Sequence, residues 1–499
     1  MSLTPSQWAA LLPLILPALG ACLIPLMSLD KDQGSAKWIR AVMYATALLA
    51  VGASFWYLTD LWQTGAQPSF FQLRMDRLAQ FSGIFILVAA ALAILQSWDH
   101  FHQEGWVKGE TLSLLLFSVA GMMLFVSTTH FVALFLGLEL FSLPLYALVG
   151  TVRLRPESAE GGMKYFITGA VASSCFLMGG VLIYGLSGTL DLSAAAVVLK
   201  AQGLGMDPLV LAGAALLLLG FLFKVSAVPF HQWTPDAYEA SPHPIAGFMS
   251  VATKGAAFIA LLRVFPGSFA PLGAVGVKAQ AGIAALAVLT LVVGNLTALV
   301  QSNVKRMLAY SSISHAGYLM LGLVAGTPAA YAGMLFYLVI YLAMNMGAFG
   351  LLTAYGLVGE RTTFEDLRGL GWKRPALGFC AAVFMLSLAG IPPMGGFYGK
   401  YMIFRELVAS GHVGLAILGV LASLVSAYYY LRFLVALFLQ APVAEAERLA
   451  SDRPAVHAPF AGATVLVSAA IVLAGGFLQY FLVDGFVRRA LVDGLGFIR

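Results

Sequence analysis

The apolar positions of this chain fall in long runs joined by short polar segments. A membrane-crossing helix needs about 20 apolar residues. On that measure the pattern predicts about fourteen spans, centred near Leu16, Leu48, Leu87, Val119, Leu140, Phe176, Leu218, Ala256, Leu289, Met320, Leu338, Leu386, Val420 and Val472. The run from Trp8 lacks a basic leader and a small-residue cleavage site, so it reads as a retained span rather than a signal peptide. Residues 64–77 are too polar to cross and predict a surface hairpin, and residues 441–455 predict a polar loop rich in Ala and Glu. No stretch suits a sizeable soluble domain. The expected fold is therefore an all-α polytopic membrane protein forming one membrane domain over 1–499.

Two spans contain helix-breaking chemistry beside a lysine. The seventh reads Phe221-Leu222-Phe223-Lys224-Val225-Ser226-Ala227-Val228-Pro229, and the twelfth reads Ala389-Gly390-Ile391-Pro392-Pro393-Met394-Gly395-Gly396 before Phe397-Tyr398-Gly399-Lys400. Proline removes a backbone donor and clashes with the preceding turn, so both helices should break there. Five crossings separate the two breaks, so the broken spans run in opposite directions. Interrupted helices at matching places in two oppositely oriented halves mark inverted repeats. The expected division is three N-terminal spans (1–100), a first five-helix repeat of spans four to eight (111–266), a second of spans nine to thirteen (276–439), and a last span with its tail (459–499).

Composition narrows the class. Hydrophobic residues make up 60% of the 499 and charged residues only 10%, against about 25% charged in soluble domains. The net charge of +5 does not point to nucleic acid, because most Lys and Arg lie in short loops where they set topology. Lys31, Lys37, Arg40, Lys108, Arg153, Arg155, Lys164, Lys305, Arg306, Arg361, Arg368, Lys373, Arg374, Arg448 and Arg453 gather on one side. Arg74, Arg77, Lys200, Arg263, Lys278, Arg405, Arg488, Arg489 and Arg499 fall on the other. The bias predicts both termini outside. Cys22, Cys175 and Cys380 are far apart, and His100 and His102 lie in a predicted loop with no cysteine beside them. No haem, iron–sulfur or zinc pattern follows, and no metal or cofactor is expected in this chain.

The informative charges are the few inside apolar runs. Glu139 is alone within 131–150, and Lys224, Lys254 and Lys400 are similarly placed. A Lys or Asp at a helix centre costs about 2.5–3.5 kcal/mol on insertion scales, and such residues mark ion or proton paths. A lone buried carboxylate takes up a proton and a lone buried lysine gives one up. Brought to about 4 Å at an effective dielectric near 20, Glu139 and Lys224 would attract by about 4 kcal/mol, so a pair of adjustable separation is a proton switch. The bland alternative is a static ion pair. Lys254 has small and hydroxyl neighbours that leave room for water; its alternative is snorkelling to the interface. Lys400 could be an interfacial anchor. His231, at the break in the seventh span, and His315, in Tyr310-Ser311-Ser312-Ile313-Ser314-His315, are possible relay groups; a histidine satisfied by serines is the plainer reading. Asp236, Glu239 and His243, in the loop that follows, are expected to be mostly solvated or helix-capping; the alternative is a role at a proton entrance.

Longer motifs then bring in a family. Phe230-His231-Gln232-Trp233-Thr234-Pro235-Asp236-Ala237-Tyr238-Glu239-Ala240-Ser241-Pro242-His243-Pro244, the run ending at Lys254, Gln301-Ser302-Asn303-Val304-Lys305-Arg306-Met307-Leu308-Ala309-Tyr310-Ser311-Ser312, and residues 390–400 resemble the antiporter-like subunits of respiratory complex I, most of all the type called N of the bacterial NADH:quinone oxidoreductase. The resemblance covers nearly the whole chain. It implies fourteen helices in two inverted repeats. It implies that Glu139 is the glutamate of the fifth helix, Lys224 the lysine of the broken seventh, Lys254 that of the eighth and Lys400 that of the broken twelfth. It implies proton translocation coupled to quinone reduction in neighbouring chains of the bacterial inner membrane. NADH, FMN, iron–sulfur clusters and quinone would belong to those partner subunits, which include sister antiporter-like subunits. Two rivals remain: a subunit of a multi-subunit cation/proton antiporter, and a non-conducting scaffold that holds partners or binds lipid.

Overall fold

The structure, a computed structural model, describes residues 4–27, 36–104, 109–152, 155–357, 362–441 and 458–495. Its helices are α1 (Pro5–Met27), α2 (Ala36–Thr64), α3 (Arg77–Gln103), α4 (Gly109–Val126), α5 (Phe131–Val149), α6 (Pro156–Ser187), α7 (Leu192–Ala201), α8 (Pro208–Lys224), α9 (Trp233–Ala240), α10 (His243–Ser268), α11 (Ala274–Leu299), α12 (Val304–Ala325), α13 (Pro328–Ala354), α14 (Pro375–Ala389), α15 (Gly395–Ala409), α16 (Val413–Leu439) and α17 (Pro459–Phe477), with short helical turns between and after them. Among the described residues, 12 helices are long and apolar enough to cross a membrane. The predicted centres Leu218 and Leu386 fall instead in α8 and α14, of 17 and 15 residues, which end at the two breaks.

The polar stretch after α2 forms the expected hairpin: β1 (Ser69–Phe70) pairs antiparallel with β2 (Leu73–Arg74), Ser69 opposite Arg74 and Phe70 opposite Leu73. The predicted loop 441–455 lies, from residue 442 on, outside the described residues. So do Lys31, Lys108, Arg153, Arg361, Arg448, Arg453 and Arg499, with the side chain of Lys37, among the charges used for orientation.

Burial sorts the helices into two shells. Helices α10, α12 and α13 form the centre and bury nearly every residue. Helices α1, α2, α6, α11 and α16 surround them and turn large apolar side chains outward, among them Leu49, Trp56, Ile167, Val171, Leu289, Leu296, Val420 and Leu424. Lipid satisfies such a surface as well as protein would, so the outer helices need no polar face.

Two local features shape that centre. Helix α10 widens to i→i+5 pairing at Met249–Thr253, immediately before Lys254. Single widened turns of this kind recur at functional sites because they re-aim the side chains that follow. At the far end of α10, Arg263 forms a two-pronged ion pair with Asp76 at 2.6 and 2.7 Å. Asp76 also caps α3 by accepting from the Ala79 amide. Arg263, counted among the outer-side charges, is buried and ties α10 to α3.

Candidate functional site: a buried lysine–hydroxyl–histidine chain

The first interrupted helix places Lys224. Asp207 accepts from the Leu209 amide and Pro208 opens α8, a strong start signal. The helix runs to Lys224 and then stops. Ser226 turns into the left-handed region at φ 63°, Ala227 N–H donates back to the Leu222 carbonyl at 2.9 Å, and the chain resumes as helix at Trp233. The Thr234 hydroxyl donates to Ser226 across the break at 2.7 Å. The Val228 amide, freed by the break, donates to the Thr290 hydroxyl of α11 at 3.0 Å, the kind of partner that irregular backbone at membrane depth requires.

Lys224 is 1% exposed. Its Nζ donates to Ser142 Oγ at 2.7 Å and lies 3.4 Å from the Tyr146 hydroxyl, both on α5. Four rings, Phe141, Tyr146, Tyr165 and Phe223, surround the ammonium with centroids at 5.2–5.4 Å, within cation–π range. Glu139 makes no ion pair with Lys224 within 4.0 Å. It stands on the same side of α5 as its partners, three residues before Ser142 and seven before Tyr146. One Glu139 carboxylate oxygen is buried with no protein partner. The side chain lines a cavity of about 260 Å³ with Phe135, Tyr146, Phe166, Ser173 and Ser174. Tyr146 thus borders both the cavity of the carboxylate and the ammonium.

Lys254, on α10, is also 1% exposed and does not snorkel. Its Nζ donates to the Ser312 carbonyl at 2.8 Å and to the Ser312 hydroxyl. Three residues further along α12, His315 Nδ1 bonds Tyr337 OH at 2.5 Å and Nε2 bonds Tyr430 OH at 2.9 Å. Tyr430 in turn bonds the Ser311 hydroxyl. Another three residues on, the ring of Tyr318 packs 5.7 Å from the His315 ring and carries the Lys400 ammonium 4.5 Å above its centre. One face of α12 therefore runs from Ser312, at Lys254, through His315 to Tyr318, at Lys400.

Lys400 belongs to the second interrupted helix. Helix α14 ends with Gly390 at φ 86°, where a Cβ would lie 3.4 Å from Lys400 Nζ. The chain passes Pro392 and Pro393 and re-enters helix at Gly395; Gly396 N–H donates to Ser387 Oγ at 3.0 Å. Lys400, 3% exposed, reaches back over the break. It donates to the Leu388 carbonyl and to Ser423 Oγ, each at 2.9 Å, with the Ala389 carbonyl at 3.4 Å. These carbonyls are the negative end of the α14 dipole, a favourable seat for an ammonium. The lysine forms part of the wall of a cavity of about 650 Å³ between α15 and α16, with Gly390, Phe397, Arg405, Leu421 and Ser423.

Lys254, His315 and Lys400 are thus brought onto one chain of contacts, and Lys224 and Glu139 onto the α5 face. His231 is not joined to them: it sits half-exposed in the break after α8 with Nδ1 unpartnered. Other residues in the interior were not anticipated. Tyr337, Tyr430, Ser142 and Tyr146 supply the hydroxyls, and aromatic composition alone could not single them out. Lys305, a loop charge by its place in the sequence, is buried and donates to the carbonyls of Glu239 at 2.5 Å and Ser241 at 2.6 Å. Asp236 and Glu239 converge on Arg306, each at 2.7 Å, and Asp236 also takes Lys164 at 2.8 Å. His100 and His102 lie within α3, not in a loop, because its last turn is held by Arg40, which donates to the Trp98 carbonyl at 2.9 Å and meets His102 Nδ1 at 3.2 Å. Among the described residues no three His, Cys, Asp or Glu side chains gather as metal ligands.

This architecture is shared with known proteins. The chain is 42% identical over 465 residues to NADH-quinone oxidoreductase subunit N of Salinibacter ruber, covering 92% of this chain and 89% of that one. It is 38% identical to the subunit N of Granulibacter bethesdensis, covering 95% and 96%. Among solved structures it superposes on a chain of respiratory complex I from Thermus thermophilus with bound aureothin, at TM-score 0.77 and 35% identity over 95% of this chain and 98% of that one. A chain of the Mrp complex from Dietzia shares the fold at TM-score 0.81, with 19% identity over 98% of both. Residues 128–426, from the start of α5 to the middle of α16, match the family described as NADH:quinone oxidoreductase/Mrp antiporter, TM. With that match over more than half its length, and its buried lysines on α8, α10 and α15, the chain belongs to the NADH:quinone oxidoreductase/Mrp antiporter membrane family.

Proposed function

We propose that this chain is a proton-translocating membrane subunit of a bacterial NADH:quinone oxidoreductase and carries no redox centre of its own. One observation carries the reading: three lysines at bilayer depth are buried to 3% exposure or less, and each is held by hydroxyls or carbonyls rather than by a carboxylate. Burial disfavours the charged form of a lysine, so groups held this way exchange protons readily when their surroundings change. Protons enter from the inside, load Lys224 or Lys254, pass the hydroxyl–imidazole contacts at His315 and leave through Lys400 or a neighbouring subunit. Glu139 acts on Lys224 across Ser142 and Tyr146. NADH, FMN, iron–sulfur clusters and quinone reside in partner subunits, and sister antiporter-like subunits flank this one in the inner membrane.

Counting α8 with α9 and α14 with α15 as one interrupted span each brings the total to fourteen. On that count the two breaks fall in oppositely directed halves, 111–266 and 276–439, and both termini lie outside. The likeness to the Mrp chain keeps a cation/proton antiporter subunit as the second reading; the relatives named subunit N at about 40% identity favour the first. The test is Lys224→Ala and Lys254→Ala in the assembled enzyme, reading proton uptake into sealed vesicles beside NADH:quinone turnover. Both should fall together with assembly intact. Full pumping in either variant overturns the reading.

A further inference from the structure

The mechanism above leaves one buried titratable cluster unused. His100, in the last turn of α3, and His243, the first residue of α10, are each 2% exposed, and their rings lie 4.8 Å apart. His243 Nε2 bonds the carbonyl of Leu357. A carbonyl only accepts, so Nε2 carries the proton, and Nδ1 of the neutral ring is left with an open lone pair. That Nδ1 is buried without a protein partner, as is Nδ1 of His100.

Charged groups face the pair from three elements. Glu104 lies one turn beyond His100 and pairs with Arg155 at 3.0 Å on the rim. Lys305, on α12, is held on the carbonyl of Ser241, two residues before His243. This is the end of the bundle that also holds Asp236, Glu239 and Arg306, the basic side in the orientation proposed above.

A polar line leads inward from the pair. Gln96 is one turn before His100 on α3; its amide donates to the Met346 carbonyl of α13 at 3.0 Å, and its own oxygen is buried and unpartnered. Next to Met346, Asn345 is fully buried with both side-chain polar atoms unpartnered. One turn earlier on α13, Tyr341 has its hydroxyl unpartnered and its ring 5.1 Å from His315. Orphaned buried polar atoms are rare in native proteins, cost about 1–3 kcal/mol each and call for a bridging water or a functional reason. Two groups of such orphans, Gln96 one turn from the histidine pair and Asn345 with Tyr341 beside the central histidine, suit hydrated polar positions better than packing.

We propose that the His100–His243 pair is a further proton-loading point, filled past Glu104 and Arg155 and emptied along Gln96, Asn345 and Tyr341 into the His315 cluster. The inference rests on the proton-translocating reading and adds an entrance to it.

The experiment compares His100→Gln, His243→Gln and the double variant with Lys254→Ala in the assembled membrane enzyme. It reads proton uptake per assembled complex as a function of pH. Each single variant should slow pumping about tenfold or more, a conservative share of what a positioned proton-transfer group contributes, and reshape the pH profile. The double should be no slower than the worse single, since groups in series fail together. Unchanged rates and profile in the double variant, with Lys254→Ala impaired, sink the entrance alone. Lowered assembly with a normal rate and profile per complex also sinks it, as a purely structural pair. Full pumping in Lys254→Ala as well would overturn the underlying reading instead.

Discussion

The two interrupted helices carry the same device and ground it differently. In α8 and α9 the lysine is the last residue before the break, and its ammonium leaves its own helix for the hydroxyls of α5 and a ring of aromatic faces. In α14 and α15 the lysine lies after the break and turns back onto the carbonyls that the break exposes. Lys400 is thus seated on a fixed dipole, whereas Lys224 rests on groups whose hydroxyl protons can rotate. A carboxylate, Glu139, stands near the first site on the same helix face as its hydroxyls, and the second has no counterpart among its contacts. One halted helix therefore makes a lysine that a neighbour can tune, and the other makes a lysine that the backbone anchors.

That contrast can be broken at several strengths. The largest expected effect is on stability. Lys400→Met strips the donor from the Leu388 carbonyl, while the Ala389 carbonyl keeps the Ser423 hydroxyl, and a buried acceptor left bare costs about 1–3 kcal/mol. Lys224→Met leaves only hydroxyls, which can bond elsewhere on α5. The first variant should melt lower than the second in detergent-solubilised complex; equal melting would erase the distinction. Next comes Tyr146→Phe, which removes the hydroxyl that borders both Glu139 and Lys224. It should lower proton uptake severalfold while leaving complex assembly unchanged. Glu139→Gln should act in the same direction but more weakly in combination, adding little once Tyr146 is gone, because both work through one route. Additive losses would separate them. The smallest effect is expected at Ser423→Ala, which removes one of the Lys400 hydrogen bonds and should cost about 1 kcal/mol, readable as a small shift in melting with pumping nearly intact.

Much of the fold was legible in order of residues. Long apolar runs gave helices at every predicted centre, and Pro229 and Pro392 with Pro393 placed both breaks. The hairpin over 64–77 followed from its polarity. The candidate site was legible only in its charged members. Glu139, Lys224, Lys254 and Lys400 stand out because an ion in an apolar run is costly wherever it points. Their hydroxyl partners do not, since Ser142, Ser312, Tyr337 and Tyr430 look like ordinary helix residues until another helix faces them. Lys305 and His100 escaped for the opposite reason: each sits near a span end, where a basic side chain is cheap if solvated, and only the packing of α9 and α10 against α12 and α3 buries them.

The sequence by itself determined which segments become helices and where two of them stop. Those outcomes rest on local physics: a backbone in an apolar setting must satisfy its own hydrogen bonds, and proline prevents that within one turn. Tertiary structure alone decided what each buried ammonium touches. Lys224 meets a serine 82 residues away, Lys254 one 58 away, and His315 a tyrosine 115 away. Charge state and proton affinity depend on those partners, and no spacing along the chain encodes them.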